Sequence, residues 1–174
     1  MPTIIKVEPT EDITSPIQCF SLPDGVYDGP FTALSYVEPA TNIEIRSINV
    51  DGEEKVISSA LYSAIRYLRY PEAARYLWID SLCIETPGAS QDPLESLRCQ
   101  RAVYESASEI AVWLGDPHNA TPQGFICAES CARFERLSIT PASVEILVGN
   151  GILDPAWASL PLLFSLPWWD WARI

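Results

Sequence analysis

Three short apolar runs with segments of helical period between them constrain this chain more than any other feature. Phe31-Thr32-Ala33-Leu34-Ser35-Tyr36-Val37 is a compact run of β-forming side chains closed by Glu38-Pro39. Tyr76-Leu77-Trp78-Ile79-Asp80 is the second run, and Glu109-Ile110-Ala111-Val112-Trp113-Leu114-Gly115 the third. Between the first two, Leu61, Ala64, Ile65 and Leu68 fall at i, i+3, i+4 and i+7, with Ser58 or Ser59 to cap the start and Pro71 to stop it. Between the last two, Asp92-Pro93-Leu94-Glu95 combines an acidic N-cap, proline at N1 and glutamate at N3, and predicts a helix running to about Ala107. Strand, helix, strand, helix, strand predicts an α/β fold with a central, mostly parallel sheet and crossover helices. An early β-hairpin is added by the alternating residues 43–50, the Asp51-Gly52 turn and Lys55-Val56-Ile57.

Flanking segments are less regular. Residues 1–30 are Pro-rich and acidic without period, and are expected to form an irregular leader with at most one short strand over residues 17–22. Downstream, residues 123–137, 142–148 and 155–164 are expected to be helical. At 174 residues the length argues for one domain with an ordinary hydrophobic core.

Charge removes several function classes. A net charge of −12 repels nucleic-acid backbones and anionic lipid, and the densest basic group, Arg66, Arg69 and Arg75, has Glu72 within it. Neither nucleic-acid binding nor a membrane span is expected, since the longest apolar region, residues 156–171, is broken by Pro161, Pro167 and Asp170. Five unevenly spaced cysteines and no signal peptide point to a reducing, cytoplasmic setting. Cys127 and Cys131 share a helix face without a partner pair, so no metal site is expected, and the single histidine, His118, lies in a polar loop. No Gly-rich phosphate loop and no cofactor motif occurs.

Carboxylate chemistry remains. Asp80 stands at the C-terminal end of a core strand, where ligands of open α/β sheets bind, and Glu85, Asp92 and Glu95 follow it. A carboxylate there can accept a sugar hydroxyl or stabilise positive charge on a ribose carbon as a glycosidic bond breaks. The capping box also accounts for Asp92 and Glu95 structurally, and a loop backbone bond would account for Asp80. Both readings stay open, with Tyr36 at the end of its strand near the same edge.

Several blocks in order carry a family resemblance. The Ala33-Leu34-Ser35-Tyr36 strand, Trp78-Ile79-Asp80-Ser81-Leu82-Cys83-Ile84, and Val103-Tyr104 through Trp113-Leu114-Gly115 resemble the signature blocks of the fungal heterokaryon-incompatibility (HET) domain. Asn49-Val50-Asp51-Gly52 with the following helix, and Trp157 through Pro167-Trp168-Trp169, are similar to two further blocks. Where the family usually has Trp-Gly, this chain has Glu38-Pro39. The resemblance covers residues 31–174 and implies a HET-like domain truncated near its C-terminal end. It implies a flavodoxin- or TIR-like sheet and a role in allorecognition, in which the domain signals or triggers programmed cell death through association with itself or another incompatibility protein. The alternative it implies is a TIR-like NAD glycohydrolase, with Glu95 as catalytic carboxylate and Tyr36, Asp80, Glu85 and Asp92 binding substrate.

Overall fold

The computed structural model describes residues 2–38, 44–83, 93–115, 161–166, 168 and 169. The chain divides into two compact units, residues 1–115 and 116–174. In the first, the elements run β1 (Ile4–Val7), β2 (Gln18–Leu22), β3 (Thr32–Ser35), β4 (Ile45–Val50), β5 (Glu53–Ser58), α1 (Ser59–Leu68), β6 (Arg75–Trp78), α2 (Asp80–Cys83), α3 (Pro93–Ser106) and β7 (Glu109–Val112). In the second, residues 161–164 are helical, Leu163 is buried, and the Trp169 indole N–H donates to the Leu163 carbonyl at 2.9 Å. The helices expected over 123–137 and 142–148 lie outside the described residues.

The α/β expectation holds. The described strands form one sheet in the order β5-β4-β2-β1-β6-β3-β7. Parallel pairing joins β3 to β6 and β7, and β2 to β4, while β1 is antiparallel to both neighbours and β4–β5 is the antiparallel hairpin. That hairpin turns through Asp51 (φ 56°) and Gly52 (φ 88°), the two positive-φ positions of a tight primed turn. Asp51 then accepts the Ser21 backbone N–H at 3.0 Å, fastening the turn to β2.

The irregular leader expected over residues 1–30 is not what forms. Besides β2, which the sequence anticipated, this segment supplies β1, the middle strand of the sheet. The physical reason is burial on both faces. Ile4 packs with Ala33 and Trp78 on one side, whereas Ile5 and Val7 pack with Leu34, Ile65 and Leu77 on the other. A strand enclosed in this way reads as a short apolar run, not as an alternation. Lys6, the one polar residue in it, pairs with Glu8 at 2.6 Å and lies over the Phe20 ring.

Among the described residues, α1 packs on one face of the sheet and α3 on the other. The Ser58 hydroxyl caps α1 by accepting the Leu61 N–H at 3.2 Å, and Leu61, Ala64 and Ile65 are buried against β1, β4 and β6 side chains. On the opposite face, Val103, Tyr104 and Ala107 of and just after α3 pack on Ala33 and Trp78. The Trp78 and Tyr104 rings meet edge to face, with centroids 5.2 Å apart.

Two of the three arginines in the densest basic group of the sequence are structural. Arg69, at the C-terminal end of α1, donates to the carbonyls of Ile13, Ser15 and Pro16 at 3.2 Å each, tying the segment before β2 to the helix. Arg75 is 9% exposed and donates to Glu109 at 2.9 Å and to the Leu68 carbonyl at 3.1 Å. Thr32 donates to the same Glu109 carboxylate at 3.0 Å, so the first residues of β3, β6 and β7 share one polar lock.

Removing side-chain volume from the middle strand should therefore be far more costly than removing it from the exposed positions of the hairpin. Ile5→Ala is expected to lose ~2–5 kcal/mol in urea unfolding. Val56→Ala, at a position 65% exposed, should stay within ~0.5 kcal/mol of the parent.

Candidate functional site

Parallel strands end together, so β3 and β6 deliver their C-terminal residues to one edge of the sheet. Beyond β6 the chain does not continue as a strand to Asp80. Ile79 closes a tight turn: its carbonyl accepts the N–H groups of Leu82 at 3.1 Å and Cys83 at 2.8 Å, and its own N–H points to the Cys83 sulfur at 3.4 Å. The four-residue α2 that results buries Leu82 in the core and leaves Ser81 exposed, with Asp80 half-buried between them in character.

Tyr36, the first residue past β3, reaches this turn. Its hydroxyl and that of Ser81 are 2.8 Å apart, and Asp80 accepts the Ser81 backbone N–H at 2.7 Å. The structure thus brings Tyr36 and Asp80 close together at one edge of the sheet, with Ser81 between them. Ser81, Glu38 and Tyr104 join them without having been singled out.

Electrostatics identify Asp80 as the centre of the cluster. Burial raises its pKa above the ordinary aspartate value, and the negative charge of Glu38 adds to that, against the hydrogen bond from Ser81. The Asp80 charge in turn raises the pKa of its neighbours. Tyr36 is pushed well above the usual phenol range by burial first, then by Asp80 and Glu38, with the Ser81 hydroxyl opposing. Tyr104 is raised by burial and by Asp80. The Cys83 thiol is raised to about 11, by burial first and then by the Asp80 charge, with the Ile79 N–H and Lys55 opposing. The Tyr36 and Ser81 hydroxyls bond each other beside the acid, while the Tyr104 hydroxyl donates to the Leu34 carbonyl at 3.4 Å, so polar groups are gathered next to a half-buried carboxyl.

Glu95 lies exposed on the first turn of α3. Glu85 and Asp92 lie outside the described residues, as do His118, Cys127 and Cys131. Beside the cluster, between the β4–β5 hairpin and α2, is an open cleft of about 540 Å³. Ser81 and Leu82 contribute to it from α2, and Lys55, Val56 and Ser58 from β5, with Glu38 also in its lining. Lys55 carried no functional signal in the sequence, since it lies in a polar hairpin and only the folded sheet places it against α2. Among the described residues, no three His, Cys, Asp or Glu side chains are placed to hold a metal ion. No described helix is long and apolar enough to cross a membrane.

The raised pKa of Asp80 has a definite sign for stability. Because folding favours the protonated form, its contribution is complete below the ordinary value of 3.8 and is lost as pH rises through the higher folded-state value. Asp80→Asn, which keeps the acceptor oxygen for Ser81 without the charge, should be more stable than the parent at pH 7. The difference should close towards pH 3, as followed by denaturant unfolding across that range.

No curated protein and no solved structure matches the chain. The sequence pattern that defines the family described as "Heterokaryon incompatibility protein (HET)" matches residues 31–169, which takes in β3 through β7 and the whole of the Tyr36–Asp80 cluster. The chain belongs to the heterokaryon incompatibility (HET) family.

Proposed function

We propose that this chain acts in the cytoplasm in fungal allorecognition, signalling or triggering programmed cell death through association with itself or with another incompatibility protein. The observation that carries this reading is the family match across residues 31–169. The working unit in this proposal includes residues 2–30 as well, because β1 lies at the middle of the sheet that supports the matched segment.

A second reading rests on a different observation, the half-buried Asp80 beside Tyr36 and Ser81. Here the domain hydrolyses the bond between nicotinamide and ribose in NAD. The C–N bonding pair leaves with nicotinamide as a neutral ring, positive charge develops on the ribose carbon, and water adds there, releasing a proton and giving ADP-ribose. A carboxylate beside that carbon stabilises the developing charge, and hydroxyl donors hold the sugar. Asp80 and Tyr36 would bind the ribose, with Glu95 as the further carboxylate.

Both readings are tested in one experiment. Inducible expression of the full chain in a fungal host is expected to arrest growth and kill hyphal compartments. Nicotinamide release by the purified protein is measured in parallel with Asp80→Asn and Glu95→Gln. Turnover that falls at least ~100-fold in either variant supports hydrolysis and names the carboxylate. Death without measurable turnover leaves association as the mechanism, and survival of the expressing cells overturns the first reading.

A further inference from the structure

The sheet ends in β5 on one side and β7 on the other, and the two edges are built differently. β5 carries Glu53 and Glu54, both exposed, in a chain whose net charge is already −12, so a second acidic copy is repelled there. β7 has one charged residue, Glu109, and the Arg75 guanidinium neutralises it at 2.9 Å. The rest of the strand is Ile110, Ala111 and Val112, with Ile110 53% and Val112 40% exposed. Among the described residues, nothing pairs with the outer side of β7. Its inner side runs parallel to β3 from Thr32↔Glu109 to Ser35↔Val112, and the Trp113 N–H donates to the Ser35 carbonyl at 2.8 Å. Main-chain groups alternate in direction along a strand, so Ala111 also faces β3, and the N–H and C=O of Ile110 and Val112 point outward. The side chains of these two share a face, opposite to the one on which Ala111 and Trp113 meet the core.

We infer that this edge pairs with β7 of a second copy of the chain, antiparallel, about a twofold axis passing through Ala111. In that register Ile110 lies opposite Val112 of the other copy, and every outward N–H of these residues meets an outward carbonyl. The same pairing sets the two exposed apolar side chains against each other across the strands. Glu109 falls opposite Trp113 of the other copy, so its charge does not face its own equivalent. Gly115, at φ 109°, turns the chain out of the strand direction and limits the length of the ladder. An interface this short lies below the ~1,200 Å² of a lasting complex, so the pairing is reversible and rises with local concentration. The inference rests on the association reading above and names the surface through which the chain meets itself.

The test is sedimentation velocity of the full chain across the micromolar range, with variants at both edges and unfolding curves to check that each is folded. The parent is expected to exchange between monomer and dimer as concentration rises. Val112→Pro removes an outward N–H that the β3 ladder does not use, and Ile110→Lys brings two like charges to the axis. Each should weaken dimerisation at least ~tenfold. Glu54→Gln, on the opposite edge, should leave it unchanged. A chain that stays monomeric throughout, or a dimer that both folded β7 variants leave intact, overturns the assignment. The second of these results leaves association standing on another surface. Variants that no longer pair yet still kill an expressing fungal host would do the reverse: the interface stands, and death through self-association falls.

Discussion

Everything in the first unit depends on β1 being held between β2 and β6. Without it the sheet falls into two parts, the β5-β4-β2 group and the β6-β3-β7 group, each with an unpaired inner edge. The strand joins them through antiparallel hydrogen bonding on both sides and through Ile4, Ile5 and Val7, which are at most 1% exposed. Backbone pairing and two-sided burial act together here. Burial excludes water from the ladder, and the ladder satisfies the polar groups that burial would otherwise strand. Arg69 extends the same constraint outward by holding the carbonyls of the segment that leads from β1 into β2.

What the sequence made legible was what is periodic or locally punctuated. The three apolar runs, the Asp51-Gly52 hairpin and the i, i+3, i+4 face of α1 each leave a signal within ten or so residues, and each appears in the structure close to where that signal lies, the third as the largely exposed edge strand β7. β1 left none, because four residues buried on both sides give no alternation, and Pro2 and Pro9 around them read as irregular chain. The roles of Arg69 and Arg75 left no local signal either, because the carbonyls and the carboxylate 34 residues away that they bond are brought to them only by folding.

The site divides in the same manner. Asp80 and Tyr36 were legible because each follows a core strand, and adjacent parallel strands must release their ends at one edge. Ser81 and Tyr104 were not, since their part in the cluster comes from the tight α2 turn and from the packing of α3 on Trp78, neither of which has a local signature. Lys55 is the extreme case: an ordinary hairpin lysine becomes part of a cleft only when the hairpin and α2, some 25 residues on, are folded side by side.

The lock formed by Arg75, Glu109 and Thr32 sits where β3, β6 and β7 begin, while the acid Asp80 sits where β6 gives way to α2. Rigidity is concentrated at one rim and chemical potential at the other, along the same three strands. Sequence change can therefore proceed on two separate schedules. Side chains at Tyr36, Asp80 and Ser81 can vary without touching the lock, because the strands that present them are aligned at their opposite ends.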